Sequence, residues 1–189
     1  SDGYNEDELA DFVPGIISEG YAANFSEYES YGYNKDSLLM MPFQKSTEVL
    51  YYNQTALNEL GVSVPESWED LWKICKLAKE RWPNSVPFGY DNESNWLFNM
   101  AMQNYWELFT TDEPYYLFNN GNTINWFDEL SKYYNEGLFT TMELYGSYAS
   151  NLFIKGAEDG CIFTIGSSAG ASYHSTSKFE WGVAPIPGS

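Results

Sequence analysis

Short β-rich apolar runs recur along this chain with helical periods between them, and that alternation limits the fold more than any other feature. The runs are Leu38–Met41, Glu48–Tyr52, Val86–Tyr90, Cys161–Ile165 and the extended piece Glu180–Pro187. Between them the spacing predicts helices over Asn53–Leu60, Trp68–Arg81, Trp96–Leu108, Thr123–Asn135 and Ser150–Lys155. Strands separated by helices fold as an α/β domain.

The helix over Trp68–Arg81 has the clearest punctuation. Ser67 stands at the N-cap, Asp70 completes a capping-box pattern three residues on, and Pro83 stops the helix. Trp68, Leu71 or Trp72, Cys75, Ala78 and Trp82 form one apolar stripe at helical spacing. Gly61 is a C-cap for the shorter helix before it. Residues 1–36 are acidic, rich in Gly, Tyr and Ser, and weakly periodic, with one short helix expected around Glu8–Glu19 and interrupted near Pro14.

Composition excludes several functions. Hydrophobic residues make up 43% of the 189, enough for a core, so the chain is not a disordered acidic tail. A net charge of −18 repels phosphate backbones, which argues against a nucleic-acid partner and against anionic lipid surfaces. No apolar run approaches the roughly 20 residues that span a bilayer. Two distant cysteines, Cys75 and Cys161, and one histidine, His174, cannot assemble a thiolate–imidazole zinc cluster, and no Ser-His-Asp arrangement follows from the one histidine. Sequence leaves a disulfide open, while the stripe favours a buried thiol at Cys75. Aromatic residues reach 19%, more Tyr and Trp than a core of this size needs, which suits a cleft that stacks on sugar faces.

Met41-Pro42-Phe43-Gln44-Lys45-Ser46-Thr47-Glu48-Val49-Leu50-Tyr51-Tyr52-Asn53 resembles the segment by which family 1 extracellular solute-binding proteins cross between lobes. The family's continuation, a short helix, a Gly and a "PxTWxEL" element, is matched by Leu57, Gly61, Pro65, Ser67, Trp68, Glu69, Asp70 and Leu71. Gly160–Gly170 is similar to its strand-to-loop element, and Lys178–Pro187 to its "F-x-x-GVAPxP" strand. The motifs fall in the family's order from about Leu38 to Pro187.

This resemblance implies a type II periplasmic-binding-protein-like α/β fold, of which the chain holds mostly one lobe. Residues 1–40 are expected to be a piece of the first lobe with the crossing, and 41–189 the central ligand-binding lobe. It implies a monomeric, extracytoplasmic component of an ABC importer, in the periplasm or lipid-anchored at the outer face of the cytoplasmic membrane, that hands its ligand to permease subunits. No cofactor, metal or catalysis is implied. Lys45-Ser46-Thr47-Glu48 with Gly166-Ser167-Ser168 looks closest to the glycerol-3-phosphate and glycerophosphodiester binders, with sugar binders as neighbours. A secreted carbohydrate-active enzyme domain and an adhesion module are the rival readings; the spacing supports no glycosidase pair for the first.

The expected ligand contacts are Ser46, Trp96, Gly166, Ser167 and Ser168. Gly166–Gly170 follows a strand and is expected to open a helix, where backbone N–H groups and hydroxyls meet a ligand and the N-terminus attracts phosphate. It lacks the Gly-Lys-Ser/Thr ending of a P-loop. Ser46 sits where the resembling branch places a ligand hydroxyl, and Trp96 where it places an aromatic. That branch carries two tryptophans there. This chain has one, with Asn92, Glu93 and Ser94 in place of the other, and Glu93 is unfavourable beside a phosphate.

Overall fold

The computed structural model describes residues 3–188. The chain forms two compact units, one ending at Ser46 and one beginning at Thr47. In the first, α1 (Glu6–Ala10) is closed by a reciprocal capping box between Asn5 and Glu8, and α2 (Pro14–Ile17) has its proline at the first turn. Pro14 thus begins a second helix where the sequence reading placed an interruption. The rest is tight turns around buried Ala22, whose N–H donates to the Ser37 carbonyl at 2.8 Å. The extended piece expected over Leu38–Met41 is reduced to one bridge, Tyr21 to Leu38. The N–H groups of Leu39 and Met40 both converge on the Gly20 carbonyl, so no ladder continues.

The second unit runs β1 (Glu48–Asn53), α3 (Gln54–Leu60), α4 (Trp68–Arg81), β2 (Phe88–Tyr90), α5 (Glu93–Gln103), α6 (Gly121–Asn135), β3 (Phe139–Thr141), α7 (Met142–Tyr145), α8 (Ser150–Phe153), β4 (Phe163–Ser167), α9 (Ala171–His174) and β5 (Trp181–Ala184). The strands make one sheet in the order β3-β2-β4-β1-β5. β2 is parallel to β3 and β4, and β1 is antiparallel to β4 and β5. The alternation read from the sequence therefore builds the α/β fold. β3 has no counterpart in that reading, because three residues are too few to show a period of two.

Side chains alternate across β1, as the strand pleat requires. Leu50 joins the larger core with Phe88, Tyr90, Phe163 and Ile165 beneath α4, while Tyr51 joins a smaller cluster with Leu152, Phe153 and Cys161. The sheet is thus covered on both faces. α4 buries its whole predicted stripe, each large side chain contributing about 1.5–3 kcal/mol. Its Ser67 cap accepts from the Asp70 N–H at 3.2 Å. Trp68 Nε1 donates to Gln103 Oε1 and Gln103 Nε2 to the Pro187 carbonyl, both at 2.9 Å, which ties α4, α5 and the segment after β5 together.

The tryptophans correct one expectation. Trp68, Trp72, Trp82, Trp96 and Trp126, five of the seven, are buried in the core. The surplus of large rings packs the space between sheet and helices, and the exposed rings are mostly Tyr and Phe. Cys75 is buried as expected. Both thiols are free and fully buried.

Candidate functional site

β2 and β4 run parallel, and their carboxyl ends open into a cleft of about 350 Å³. Crevices at the carboxyl ends of parallel strands are where α/β sheets hold ligands. Asp91 follows β2 directly, while Gly166 and Ser167 end β4. The far wall is Tyr148, Ser150, Asn151 and Tyr173, and the floor is Tyr51 and His174.

Asp91 organises this cleft. Its Oδ1 accepts from the Ser150 N–H at 3.1 Å, and its own N–H donates to the Ile165 carbonyl at 2.9 Å. Burial raises the Asp91 carboxyl above the ordinary aspartate range, against the pull of the Ser150 and Ala149 N–H groups. Its Oδ2 lies 2.6 Å from where a Cβ on residue 166 would sit, so glycine lets β4 pass the carboxylate without displacing it.

The floor is aromatic. His174 is 1% exposed and packs on Tyr51 with ring centroids 4.0 Å apart, edge-on to Phe153 at 5.0 Å. Burial lowers its pKa to about 4, so it is neutral at physiological pH. Tyr51 Oη donates to the Ser167 carbonyl at 2.8 Å. A Cβ on Gly170 would come 3.7 Å from Tyr51 Oη and 3.8 Å from His174 Nε2, so both polar atoms face the space above that glycine. At the rim, Tyr173 Oη donates to Asn151 Oδ1 at 2.5 Å, and Asn151 Nδ2 donates to Ser147 Oγ at 2.7 Å. Tyr148 and Tyr173 are 60% and 41% exposed, leaving ring surface for a ligand.

A second polar cluster lies at the start of β1. Glu48 accepts from Tyr90 Oη at 2.7 Å and from the side-chain amides of Asn95 and Asn99, each at 2.9 Å. Burial, then the bond to Glu48, pushes the Tyr90 hydroxyl far above its ordinary range, which keeps it a donor.

Of the residues singled out from the sequence, the structure brings Gly166 and Ser167 into the cleft. The other three fall elsewhere. Ser168 acts as a clamp: its N–H donates to the Thr47 carbonyl at 2.7 Å, and its Oγ accepts from the Thr47 N–H at 3.2 Å. Ser167 Oγ accepts from the Ala169 N–H at 3.2 Å and caps the turn. Trp96 is 2% exposed and stacks on Tyr90 at 5.0 Å and on Trp68 at 5.8 Å, a core position. Ser46 is exposed at the end of the first unit. The helix expected after Gly166–Gly170 is a 3₁₀ turn followed by the four residues of α9, too short for a useful dipole.

Asp91, Tyr148, Asn151, Tyr173 and His174 were not among the expected contacts. Asp91 was legible, because it directly follows an apolar run in an α/β pattern. Nothing local marked Tyr148 or Asn151, which reach the cleft from the turn before α8 and from α8 itself.

Comparison with known proteins gives the family and the fold. Residues 5–189 match the family described as bacterial extracellular solute-binding protein. Over 59 residues the chain is 30% identical to a multiple sugar-binding protein of Streptococcus mutans, a stretch covering 31% of this chain and 14% of that protein. Among solved structures, maltose-bound MalE3 of T. maritima superposes with a TM-score of 0.71 at 13% identity, over 96% of this chain and 45% of that one. UgpB of Mycobacterium tuberculosis in complex with glycerophosphocholine gives a TM-score of 0.62 at 18% identity, over 92% and 43%. The chain therefore spans less than half the length of these relatives. With the match running from residue 5 to the end of the chain, the chain belongs to the family of bacterial extracellular solute-binding proteins.

Proposed function

We propose that this chain is the ligand-holding lobe of an extracytoplasmic solute-binding component of an ABC importer, capturing a sugar or polyol and passing it to membrane permease subunits. Residues 1–40 are assigned to the first lobe and the crossing, and 41–189 to the central lobe. The component binds its solute, acts as a monomer and catalyses no reaction. The observation that carries this reading is the cleft itself. A carboxylate, two exposed tyrosine rings, a side-chain amide and neutral polar atoms over Gly170 converge in about 350 Å³ at the carboxyl ends of parallel strands. Tyrosine faces stack on the apolar faces of a pyranose, while Asp91 and Asn151 take and give hydroxyl hydrogen bonds.

A glycerol-phosphate ligand is the second reading, favoured by the likeness to UgpB, whose structure holds glycerophosphocholine. The residues lining the cleft include no Lys or Arg, and Asp91 faces its interior, which favours an uncharged solute. Calorimetric titration with maltose, maltotriose, glycerol-3-phosphate and glycerophosphocholine separates the two. Saturable sugar binding that Tyr173→Ala and Asp91→Ala each weaken about tenfold or more supports the first reading. Binding of the phosphate compounds alone overturns it in favour of the second.

A further inference from the structure

A separate hollow of about 390 Å³, sharing no lining residue with the cleft, lies among α5, α6, β3 and α7. Its walls are Trp96, Trp126, Phe127, Tyr134, Phe139 and Leu144, contributed by α5, α6, β3 and α7. Trp96 stands edge-on to Phe139 at 5.3 Å and to Trp126 at 5.6 Å, which fixes the inner wall. The outer wall is wet: Phe127, Tyr134 and Leu144 are 51%, 48% and 54% exposed. A volume near 390 Å³ falls at the lower end of the ~300–1,000 Å³ typical of small-molecule pockets.

One end of the hollow is charged. Glu93 and Glu143 both line it, and no residue of the lining is basic. Glu93 Oε1 accepts from the Glu143 N–H at 2.9 Å, which brings the first turns of α5 and α7 together at that end. Although burial opposes it, the Thr141 hydroxyl and the N–H groups of Glu143 and Glu93 hold the Glu93 carboxyl below the ordinary glutamate range. Trp96 Nε1 is buried and makes no hydrogen bond within the protein. Aromatic walls with two acidic side chains at one end attract a cation twice, through the ring quadrupoles and through the charge.

We propose that this hollow is a second small-molecule site, which takes an organic cation with its apolar body among the rings and its ammonium against Glu93 and Glu143. The Asp91 cleft is a different cavity, so this site does not depend on the solute the cleft holds. Three probes of one shape test it: benzylammonium, benzyl alcohol and phenylacetate, titrated at matched ionic strength. The readout is the indole N–H resonances of ¹⁵N-tryptophan-labelled protein, with Trp96 and Trp126 assigned by Trp→Phe variants.

Benzylammonium shifts both resonances saturably and binds roughly threefold to thirtyfold tighter than benzyl alcohol, while phenylacetate binds weakest. Glu93→Gln and Glu143→Gln each weaken benzylammonium roughly twofold to fivefold and leave benzyl alcohol unchanged. Glu143 is exposed, so its substitution reads the charge even where Glu93→Gln disturbs the α5–α7 contact. Equal binding of all three probes, absence of a saturable shift, or indifference of benzylammonium to Glu143→Gln overturns the proposal.

Discussion

Gly166→Ala tests how the cleft is built. The new Cβ sits 2.6 Å from Asp91 Oδ2, 3.3 Å from Cγ and 3.6 Å from Cβ. An ordinary contact needs ~3.5 Å, so the carboxylate has to retreat by almost one ångström. Asp91 has little room to do so, because its Oδ1 is bound to the Ser150 N–H at 3.1 Å and the residue is held to Ile165 through its backbone. Residue 166 lies inside β4, so alanine adds no backbone strain of its own, and the cost is that of overpacking, about 1–3 kcal/mol. Urea unfolding at pH 7 measures it.

The decisive comparison is a double-mutant cycle with Asp91→Ala. When the carboxylate is removed, only the Cβ of residue 91 remains of these three atoms, at an ordinary contact distance of 3.6 Å, so Gly166→Ala costs no more than about 0.5 kcal/mol and leaves a coupling of at least about 1 kcal/mol. If Gly166→Ala is as stable as the parent, or equally destabilising with and without the Asp91 carboxylate, then this carboxylate does not dictate the glycine. The same cycle followed by sugar titration shows whether the displaced carboxylate also loses the ligand.

Trp96→Ala removes the ring at the centre of the tryptophan cluster and lowers stability by about 3–5 kcal/mol in urea unfolding; a loss below about 1 kcal/mol contradicts a core role. His174 gives a pH signature. Its pKa is about 4 in the folded protein against 6.5 unfolded, so the unfolded chain takes the proton first. Stability contributed by the neutral ring is whole above about pH 6.5 and falls by up to about 3 kcal/mol as pH drops towards 4. His174→Phe flattens that part of the pH–stability profile, and an unchanged slope refutes the assignment.

How much of this was legible depends on whether the signal was local. α4 was readable in full because its cap, stripe and stop lie within seventeen residues, Ser67 to Pro83. The span of α5 was misjudged at both ends. Asn92 caps the helix from four residues before Trp96, its side chain accepting from the Asn95 N–H, and the helix stops at Gln103, two residues before Tyr105 with its φ of 56°. Both are side-chain and backbone choices that an apolar periodicity does not carry. β4 was placed two residues early because Cys161 and Ile162 are as apolar as the strand proper, although the partnered stretch is Phe163–Ser167.

The serine loop shows how a motif read for ligand contact also carries structural bonds. Gly166-Ser167-Ser168 has the small residues and hydroxyls of a ligand cradle, and the first two line the cleft. Both hydroxyls nevertheless accept backbone bonds, Ser167 from the nearby Ala169 N–H and Ser168 from the N–H of Thr47, just before β1. A hydroxyl beside unpaired backbone N–H groups is drawn to them before any ligand arrives. The rest of the cleft lining belongs to residues that the strands carry past the loop or that arrive from another segment: Asp91 beside β4, Tyr148 and Asn151 from around α8, and His174 from α9. Such a site is assembled by the parallel pairing of β2 and β4, so no single stretch of sequence spells it. The loop's role follows from that pairing. Gly166 yields space to Asp91, Ser167 offers its carbonyl to Tyr51, and Ser168 holds Thr47, so the loop sets the cleft's shape while other residues supply its chemistry.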